Sequence, residues 1–259
     1  GAQLPAVIVN VQRVGPGLGN IGPEQGDYNQ AVKGGGHGNF HNIVLAPSSV
    51  QEMCDLTMKA FELAFKYRNP AIVLADAVLG QMMEFLSFPE RPAAIPEVSS
   101  WAVQGDAATR GNLVSSIYLD NELQERHNWM LQDKYASMAA DAMAESYLTE
   151  DAEILLTGYG TSSRVARSAV DALRNEGIKA GLFRPLTLFP VPTRQLNEAA
   201  RAGRVLVVEL SNGQYRDDVL LHLDRDMSCR VELINRMGGN MMKVEDVVAA
   251  ARRMLEVRA

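Results

Sequence analysis

Short, uninterrupted apolar runs constrain the fold of this chain more than any other feature of its sequence. Pro5 to Val11, Asn42 to Ala46 and Ala71 to Asp76 are each of strand length and rich in β-branched residues. Runs of this kind, without polar alternation, are typical of strands that are buried on both faces of a parallel sheet. Between the second and third runs, an apolar face recurs at helical spacing from Val50 to Tyr67. This β-α-β order predicts a parallel sheet with a right-handed crossover.

The ends of this predicted helix are marked by local signals. Ser49 and Glu52 have the capping-box spacing that opens a helix. Asn69 and Pro70 form a dipeptide that stops one. The helix is therefore predicted to lie wholly between two strands.

The pattern breaks after the third run, because three prolines within eight residues cannot occupy a regular element: Pro89, Pro92 and Pro96. From Asp120 to Glu153 the chain then carries nine acidic residues against only Arg126 and Lys134. We interpret this stretch as a solvated helix that lies between two domains. Residues 1–88 are accordingly assigned to a first domain, and residues 89–150 to a linker with a long acidic helix.

A second α/β unit is predicted for residues 151–259. Its strands are expected to begin near Ala152 and to run from Ile178 to Phe183, Arg204 to Glu209 and Arg230 to Ile234. Its helices are expected at Thr161 to Asn175, Thr193 to Arg201, Gln214 to Leu223 and Val244 to Val257. This alternation predicts a three-layer sandwich. The fold class is thus α/β, with two three-layer domains built around mostly parallel sheets.

Composition argues against two classes of partner. The net charge is -6 and the chain has no run rich in Lys or Arg, so we expect neither nucleic acid nor an anionic membrane surface as a partner. The apolar runs are far shorter than the roughly 20 residues that cross a bilayer, which predicts a soluble protein. Cys54 and Cys229 are too few and too far apart to ligate an iron-sulfur cluster. Sparse cysteine without a signal-like N-terminus favours the cytoplasm.

The glycine-rich stretch from Gln12 to Gly38 is the strongest functional signal. It holds nine of the 21 glycines and directly follows the first strand. A segment so rich in glycine can turn sharply or can bring its backbone close to a ligand. Gly17, Gly19 and Gly22 satisfy the pattern of a dinucleotide-binding turn, but Pro23 follows them and no apolar-periodic helix begins there. We therefore do not interpret this pattern as a nicotinamide site.

Several polar groups are candidates for binding or chemistry. Arg13 follows the first strand at its carboxyl end, where α/β proteins bind ligands, and its planar fork of donors suits a carboxylate. The alternative for Arg13 is an ion pair at the surface or between domains. His37 is a candidate acid, base or substrate donor, or else a hydrogen-bonding residue of its own loop. The turn from Gly158 to Ser163 can hold an anion at a helix N-terminus or can simply cap that helix. The histidines lack metal-ligand spacing, so no metal site is predicted.

Read together, three segments resemble the alpha-type subunit of the 2-oxoacid:ferredoxin oxidoreductases: residues 10–38, 44–53 and 69–84. The likeness continues at Arg184 to Pro190 and Val207 to Gln214, which are similar to the transketolase C-terminal-like domain of that subunit. The resemblance implies that residues 1–88 are the C-terminal part of a pyrimidine-binding domain for thiamine diphosphate. It also implies that residues 151–259 form the transketolase C-terminal-like domain.

The resemblance further implies oxidative decarboxylation of a 2-oxo acid with CoA to an acyl-CoA, with reduction of ferredoxin. Thiamine diphosphate and Mg²⁺ are then shared with a beta-type subunit. Iron-sulfur clusters lie only on partner subunits, which include a gamma subunit and a ferredoxin-like subunit. Arg13, the arginine of the family's V-Q-R motif, is expected to bind the substrate carboxylate. The expected substrate loop comprises Gln12, Gly17, Leu18, Gly19, Asn20, Ile21 and His37.

In this family the pyrimidine-side domain normally starts well upstream of the position of Gly1. It carries there a Y-P-I-T-P-like segment and the glutamate that activates the aminopyrimidine. We therefore expect the chain to begin partway through that domain, with the main pyrimidine contact upstream. We also expect it to be inactive alone and to form an oligomer, because an incomplete domain leaves apolar surface uncovered.

The glycine loop also bears on substrate choice within the family. Enzymes for 2-oxoglutarate commonly show G-P-S-T-G-L-P-T, whereas Gly15 to Gly22 of this chain lacks both hydroxyls. Leu18 and Ile21 make a second carboxylate costly and an aliphatic tail favourable. The chain is thus similar to the 2-oxoisovalerate type. The alternatives are the 2-oxoglutarate and pyruvate types, the beta chain of a 2-oxoacid dehydrogenase and a non-catalytic assembly module. The role of Glu209 to Gln214 is left open.

Overall fold

A computed structural model describes residues 1–89 and 96–256. The strands are β1 (Ala6–Gln12), β2 (Ile43–Leu45), β3 (Pro70–Asp76), β4 (Ala144–Tyr147), β5 (Ile154–Thr157), β6 (Ala180–Pro185), β7 (Thr187–Phe189), β8 (Arg204–Glu209) and β9 (Arg230–Asn235). The helices are α1 (Tyr28–Val32), α2 (Val50–Tyr67), α3 (Ala77–Gln81), α4 (Asn121–Ser137), α5 (Gly160–Asn175), α6 (Thr193–Ala199), α7 (Gln214–His222) and α8 (Val244–Glu256). Pro92 of the predicted linker and Val257 at the predicted end of the last helix lie outside the described residues.

The first sheet has the strand order β1-β3-β2-β7. Strands β1, β3 and β2 are parallel, and β7 pairs with β2 in the antiparallel sense. The helix between β2 and β3 begins as its capping signal predicts, because the Glu52 backbone N–H donates to the Ser49 hydroxyl at 3.1 Å. The β-α-β unit predicted from the apolar runs is therefore confirmed.

The second sheet has the order β4-β6-β5-β8-β9, in which only β4 is antiparallel to its neighbour. Helices α5 and α8 pack together and cover one face of this sheet, where their apolar side chains meet Ile154, Leu156 and Leu206. On the other face, a second cluster joins Leu155 and Val207 to residues of the first sheet such as Val44. The α/β fold class with mostly parallel sheets is confirmed.

The first strand differs from its prediction. The sequence predicts that β1 is buried on both faces, but the structure makes it the edge strand of the first sheet. Ile8, Val9 and Val11 are each roughly half exposed, with Val9 at 51%. An apolar run reports the side chains of a strand but not whether neighbouring elements cover them. That is why the pattern misplaced β1.

Two strands and one helix cross the predicted domain limits, and those limits stay predictions. Strand β4, from the predicted linker, joins the second sheet, and β7, from the predicted second domain, joins the first. The predicted acidic helix α4 is present, and most of its side chains are exposed or partly exposed. Its Leu131 and Tyr135, with Met138 just beyond it, are buried against Leu45 and Val73 of the first sheet.

Candidate functional site

The segment that follows β1 folds back on itself as a glycine-rich hairpin. Arg13 and Pro23 form an isolated antiparallel bridge, and the Val14 N–H donates to the Gly22 carbonyl at 3.0 Å. Gly19 has a φ of +46°, and a Cβ there would lie 2.2 Å from the Val14 carbonyl oxygen. Only glycine fits so close an approach. The glycines of this loop therefore allow the backbone to reverse its direction sharply.

Arg13 organises this hairpin from within. Its Nη1 donates to the carbonyls of Val14 and Leu18, each at 2.6 Å. Its Nη2 donates to the Gly17 carbonyl at 3.4 Å. The ion pair considered as an alternative does not occur among the described residues, where Arg13 has no acidic partner. The guanidinium is thus held in place by backbone carbonyls, without an ion-pair partner among the described residues.

A cleft of about 350 Å³ lies beside Arg13, between the glycine loop and the second half of the chain. The first half contributes Arg13, Gly15, Pro16, Glu24, Gly26 and Asp27, and the second half contributes Ser211, Asn212, Gln214 and Met237. The cleft sits at the carboxyl end of β1, which is where parallel α/β sheets bind ligands. Arg13 is therefore placed as the sequence predicts, although its binding role stays a prediction.

The other predicted loop residues are distributed differently around this cleft. Leu18 and Ile21 are 92% and 85% exposed and do not line it. Asn20 accepts a hydrogen bond from the Gly22 N–H at 2.7 Å and donates to the Gly238 carbonyl at 3.4 Å. The loop is thereby fastened to the second half of the chain. The substrate roles of Leu18, Asn20 and Ile21 remain predictions.

Gln12 and His37 lie away from the cleft lining. Gln12 is buried, donates to the Ala75 carbonyl at 3.2 Å and accepts from the Asp27 N–H at 3.0 Å. Its amide ties β1 to β3 and to the start of α1. His37 is exposed on the loop that follows α1. The structure does not bring His37 into the cleft that Arg13 lines.

Glu24 is a site residue that sequence reasoning missed. One of its carboxylate oxygens accepts from the Gly15 N–H at 3.1 Å, and the other accepts from the Gly238 N–H at 3.2 Å. It therefore joins the glycine loop to a turn more than two hundred residues away. No local sequence pattern predicts this contact, because both groups that donate to Glu24 are backbone N–H groups.

The segment from Glu209 to Gln214, whose role the sequence leaves open, forms the opposite wall of the cleft. Glu209 is fully buried and accepts from the Ser211 hydroxyl at 2.6 Å and from the backbone N–H groups of Gly213 and Arg216 at 2.5 and 3.0 Å. These bonds fix the turn that presents Asn212 to the cleft.

Gln214 fastens this wall to the first half of the chain. Its side-chain amide donates to the Gly26 carbonyl and accepts from the Asn29 N–H, both at 2.8 Å. Gln214 therefore holds the two walls of the cleft together directly, alongside the bonds of Glu24 and Asn20 to Gly238.

The predicted anion site at the start of α5 is occupied by the chain itself. The Asp76 carboxylate accepts from the Thr161 N–H at 3.0 Å and from the Thr161 hydroxyl at 2.6 Å. Gln25 also reaches this turn, where it donates to the Tyr159 carbonyl and accepts from the Ser162 hydroxyl. The positive end of the helix is thus satisfied by a carboxylate from β3. The turn is a contact between the two sheets.

Three buried tyrosines pack behind the cleft, with ring centroids 5.6 to 5.9 Å apart: Tyr28, Tyr159 and Tyr215. Tyr28 donates to the Asp218 carboxylate at 2.6 Å. Burial, followed by the negative charge of Asp218, raises the pKa of Tyr28 well above its ordinary value. Burial likewise raises the pKa of Tyr159 and Tyr215. These phenols stay neutral and act as hydrogen-bonding groups of the core.

Two further properties concern only the described part of the chain. Residues 1–89 and 96–256 contain no cluster of three or more His, Cys, Asp or Glu side chains that could hold a metal ion. Over the same ranges, no helix combines the length and the apolarity that a membrane crossing requires.

Comparison with known families identifies the class. Residues 1–150 match the model for the pyruvate flavodoxin/ferredoxin oxidoreductase, thiamine diphosphate-binding domain. Residues 152–247 match the model for pyruvate:ferredoxin oxidoreductase core domain II. The chain belongs to the pyruvate flavodoxin/ferredoxin oxidoreductase family, which confirms the resemblance found in its sequence.

Individual relatives narrow the likeness within that family. The chain is 58% identical to the ketoisovalerate oxidoreductase subunit VorB of Methanothermobacter marburgensis, over 98% of this chain and 72% of that protein. It is 33% identical to the 2-oxoglutarate synthase subunit KorA of Methanothermobacter thermautotrophicus, over 97% of this chain and 74% of that protein. The chain is therefore more similar to the ketoisovalerate subunit than to the 2-oxoglutarate subunit.

A solved structure supports the fold. The chain superposes on the 2-oxoglutarate:ferredoxin oxidoreductase from Magnetococcus marinus with a TM-score of 0.81 and 21% identity. The match covers 98% of this chain and 49% of the solved chain. A split-gene transketolase gives a TM-score of 0.50 at 17% identity, over 84% of this chain and 58% of that one. Both are likenesses of fold, and this chain spans about half the length of the solved oxidoreductase chain.

Proposed function

We propose that this chain is the alpha-type subunit of a thiamine-diphosphate-dependent 2-oxoacid:ferredoxin oxidoreductase for branched-chain 2-oxo acids of the 2-oxoisovalerate type. The reaction is oxidative decarboxylation with CoA to an acyl-CoA, and the electrons pass to ferredoxin. The name and the 58% identity of the ketoisovalerate subunits support the substrate class. The observation that carries the proposal is the state of Arg13 in the cleft.

Arg13 offers a free donor edge in a fixed position. Its Nη1 donates to two loop carbonyls, and its Nη2 donates to the Gly17 carbonyl. Among the described residues, nothing accepts a hydrogen bond from its Nε. Nε and the remaining donor capacity of Nη2 are therefore the part of the guanidinium that we assign to the carboxylate. Because the loop already orders the side chain, little rotamer entropy is lost on binding.

The cleft fits a 2-oxo acid better than it fits the diphosphate end of the cofactor. A diphosphate would meet the carboxylates of Glu24 and Asp27, which repel it. We therefore assign the diphosphate and its Mg²⁺ to a beta-type partner subunit. When bound between the subunits, thiamine diphosphate supplies the carbanion chemistry. This chain would bind and orient the 2-oxo acid through Arg13.

The remaining components are proposed from the family. A gamma subunit and a ferredoxin-like subunit would carry the iron-sulfur clusters, CoA would be the co-substrate, and the assembly would work in the cytoplasm. Both relatives are named as subunits of an oxidoreductase or a synthase, which supports a multi-subunit enzyme.

The test is reconstitution with the partner subunits of the same organism. The assembled protein should reduce a one-electron acceptor only when 2-oxoisovalerate and CoA are both present, and the chain alone should not. Activity with 2-oxoglutarate or pyruvate alone would replace the branched-chain assignment by one of those types. Acyl transfer to lipoamide would indicate a 2-oxoacid dehydrogenase. An assembled complex without any 2-oxo acid turnover would leave an assembly module.

A further inference from the structure

We propose that the turn at residues 237–240, in the second half of the chain, positions Arg13 and that it does so through Glu24. The inference rests on the proposed function, because it takes Arg13 to be the group that binds the substrate carboxylate. Glu24 is then a positioning residue. Its carboxylate acts on the loop that carries Arg13, and no contact with the substrate is required of it.

The place of the Arg13 guanidinium depends on the shape of residues 13–22. The guanidinium donates to three backbone carbonyls of this segment, which belong to Val14, Gly17 and Leu18. A group that is held by backbone carbonyls moves when that backbone moves. Whatever fixes the backbone of residues 13–22 therefore also fixes the guanidinium.

Glu24 bonds this segment to the turn at residues 237–240. One of its carboxylate oxygens accepts from the Gly15 N–H at 3.1 Å, and the other accepts from the Gly238 N–H at 3.2 Å. The residue is only 8% exposed, so water has little access to either bond. Hydrogen bonds from a backbone N–H to a carboxylate are stronger than those between neutral groups. The carboxylate thus holds the loop and the turn at a fixed distance from each other.

Asn20 bonds the same turn. Its side-chain nitrogen donates to the Gly238 carbonyl at 3.4 Å, and its side-chain oxygen accepts from the Gly22 N–H at 2.7 Å. The N–H and the carbonyl of Gly238 are therefore both bonded by side chains of the glycine-rich stretch, those of Glu24 and Asn20.

The loop and the turn also meet through their backbones. A Cβ on Gly22 would lie 2.7 Å from the Gly239 Cα, and a Cβ on Gly239 would lie 3.2 Å from the Gly22 Cα. Gly239 moreover has a φ of +84°, which side chains disfavour. So close a contact between two backbones requires glycine on both sides, and a side chain on either residue would push the loop away from the turn.

The same turn also forms part of the cleft, because Met237 lines it together with Arg13. The element that lines the cleft is thus the element that holds the arginine loop. The place of Arg13 in the cleft is therefore set by contacts between the two halves of the chain, and not by its position after β1 alone.

The first test is Glu24→Gln in the enzyme assembled with its partner subunits. Glutamine has a single acceptor oxygen, so it cannot serve both N–H groups. We expect kcat/KM for 2-oxoisovalerate to fall about tenfold, mainly through KM, because a small misplacement of a binding group weakens binding strongly. Removing a negative charge from the cleft would by itself favour an anionic substrate. A rise in KM is therefore not a charge effect, and an unchanged or lower KM overturns the proposal.

A second variant disturbs the same contact without any change of charge. Gly239→Ala places a Cβ against Gly22 and should also raise KM about tenfold. Gly177→Ala is the matched control, because Gly177 has a similar φ of +82° but no atom within 4 Å of an added Cβ. It carries the same backbone strain and should leave KM unchanged. Equal effects of the two alanine variants on KM would overturn the proposal.

A double-mutant cycle separates positioning from a general loss of structure. If Glu24 acts through Arg13, its substitution has little left to disturb once the guanidinium is gone. In the Arg13→Ala background, Glu24→Gln should therefore lower kcat/KM by less than about twofold further. A full tenfold loss in both backgrounds would show that Glu24 acts independently of Arg13.

Hydrogen exchange of residues 13–24 in the assembled protein tests the contact without turnover. Exchange should be faster in Glu24→Gln and Gly239→Ala than in the wild type, and unchanged in Gly177→Ala, because the bonded N–H groups of the loop lose protection. Unchanged exchange in the first two variants overturns the proposal for any substrate. A wild-type assembly that does not use 2-oxoisovalerate defeats the proposed function instead, and exchange then still decides whether the turn positions the arginine loop.

Discussion

We infer two tasks for the Arg13 side chain. Its Nη1 closes the glycine loop on two carbonyls, and under the proposed function its remaining donors bind the substrate carboxylate. In the assembled enzyme, Arg13→Ala should lower kcat/KM for the 2-oxo acid about ten- to a hundredfold or somewhat more, because charge-assisted hydrogen bonds contribute roughly 1.5 to 3 kcal/mol. Arg13→Lys should recover little, since an ammonium group can neither bridge the loop carbonyls nor present a fork.

Kinetics and stability are measured on the same preparation to separate these tasks. Arg194→Ala is the matched control, because Arg194 is exposed on α6 and its one ion pair within residues 1–89 and 96–256 is with Glu198 of its own helix, at 3.6 Å. It should leave kcat/KM unchanged. Normal kinetics of an intact Arg13→Ala complex would rule out the carboxylate-binding role.

At the scale of elements, the N-terminus of helix α5 depends on Asp76, the last residue of β3 in the other sheet. Asp76 accepts from the backbone N–H groups of Val78, Leu79 and Thr161 and from the Thr161 hydroxyl. Asp76→Asn replaces one acceptor oxygen by an NH₂ group that faces these donors. We expect the free energy of unfolding to fall by about 2 kcal/mol, as for other buried donors left without a partner. Denaturant unfolding measures this loss. Asp133→Asn, at an exposed position on α4, is the matched control, and an Asp76→Asn midpoint equal to that of the control would contradict the prediction.

At this scale, the sequence predicts a feature when the residues that cause it lie close together along the chain. The start of α2 is predicted because Ser49 and Glu52 carry the whole signal within four residues. The partner of Asp76 lies 85 residues away, and that of Glu24 lies 214 residues away, so no pattern along the chain reveals either bond. The burial of β1 is mispredicted for the same reason, since neighbouring strands decide it. Arg13 is found because its position after a strand is itself a local signal.

At the scale of the molecule, helix α2 is joined to the second sheet by a charged contact that depends on pH. Arg184 in β6 bonds the Glu52 carboxylate at 2.6 Å and that of Glu145 at 2.7 Å. Burial alone would raise the pKa of Glu52, but the hydrogen bonds and charge of Arg184, together with Ser48, hold it below its ordinary value of 4.5. A carboxyl group whose folded pKa is lowered stabilises the fold above its unfolded pKa and loses that contribution as pH falls through the folded pKa.

Glu52→Gln should therefore destabilise the chain most at neutral pH. We expect a loss of about 2 kcal/mol or more in the free energy of unfolding at pH 7, because Arg184 is left buried without one of its partners. The difference between variant and wild type should shrink as pH falls below about 4.5. Thermal or denaturant unfolding between pH 3 and pH 7 measures it, and a difference that is independent of pH would contradict the role of the charge.

The exposed edge strand β1 supports the expected oligomer. Ile8, Val9 and Val11 leave an apolar strand edge open, and such edges pair with other chains. Light scattering of the isolated chain should show a dimer or a larger species at high concentration. Val9→Lys, which places a charge on that edge, should shift it toward the monomer, whereas Leu148→Lys, at an exposed position after β4, should not. A clean wild-type monomer would count against this expectation.

Strand β4 joins the second sheet and β7 joins the first, so neither half of the chain contains all the strands of its own sheet. A cut at residue 150 leaves both sheets one strand short, because Ala144–Tyr147 stays with the first piece and Thr187–Phe189 leaves with the second. The edge of Ile43–Leu45 then loses its antiparallel neighbour. Each piece therefore needs the other to complete both sheets. A gene divided at that point would yield a working fold only where both products are made together.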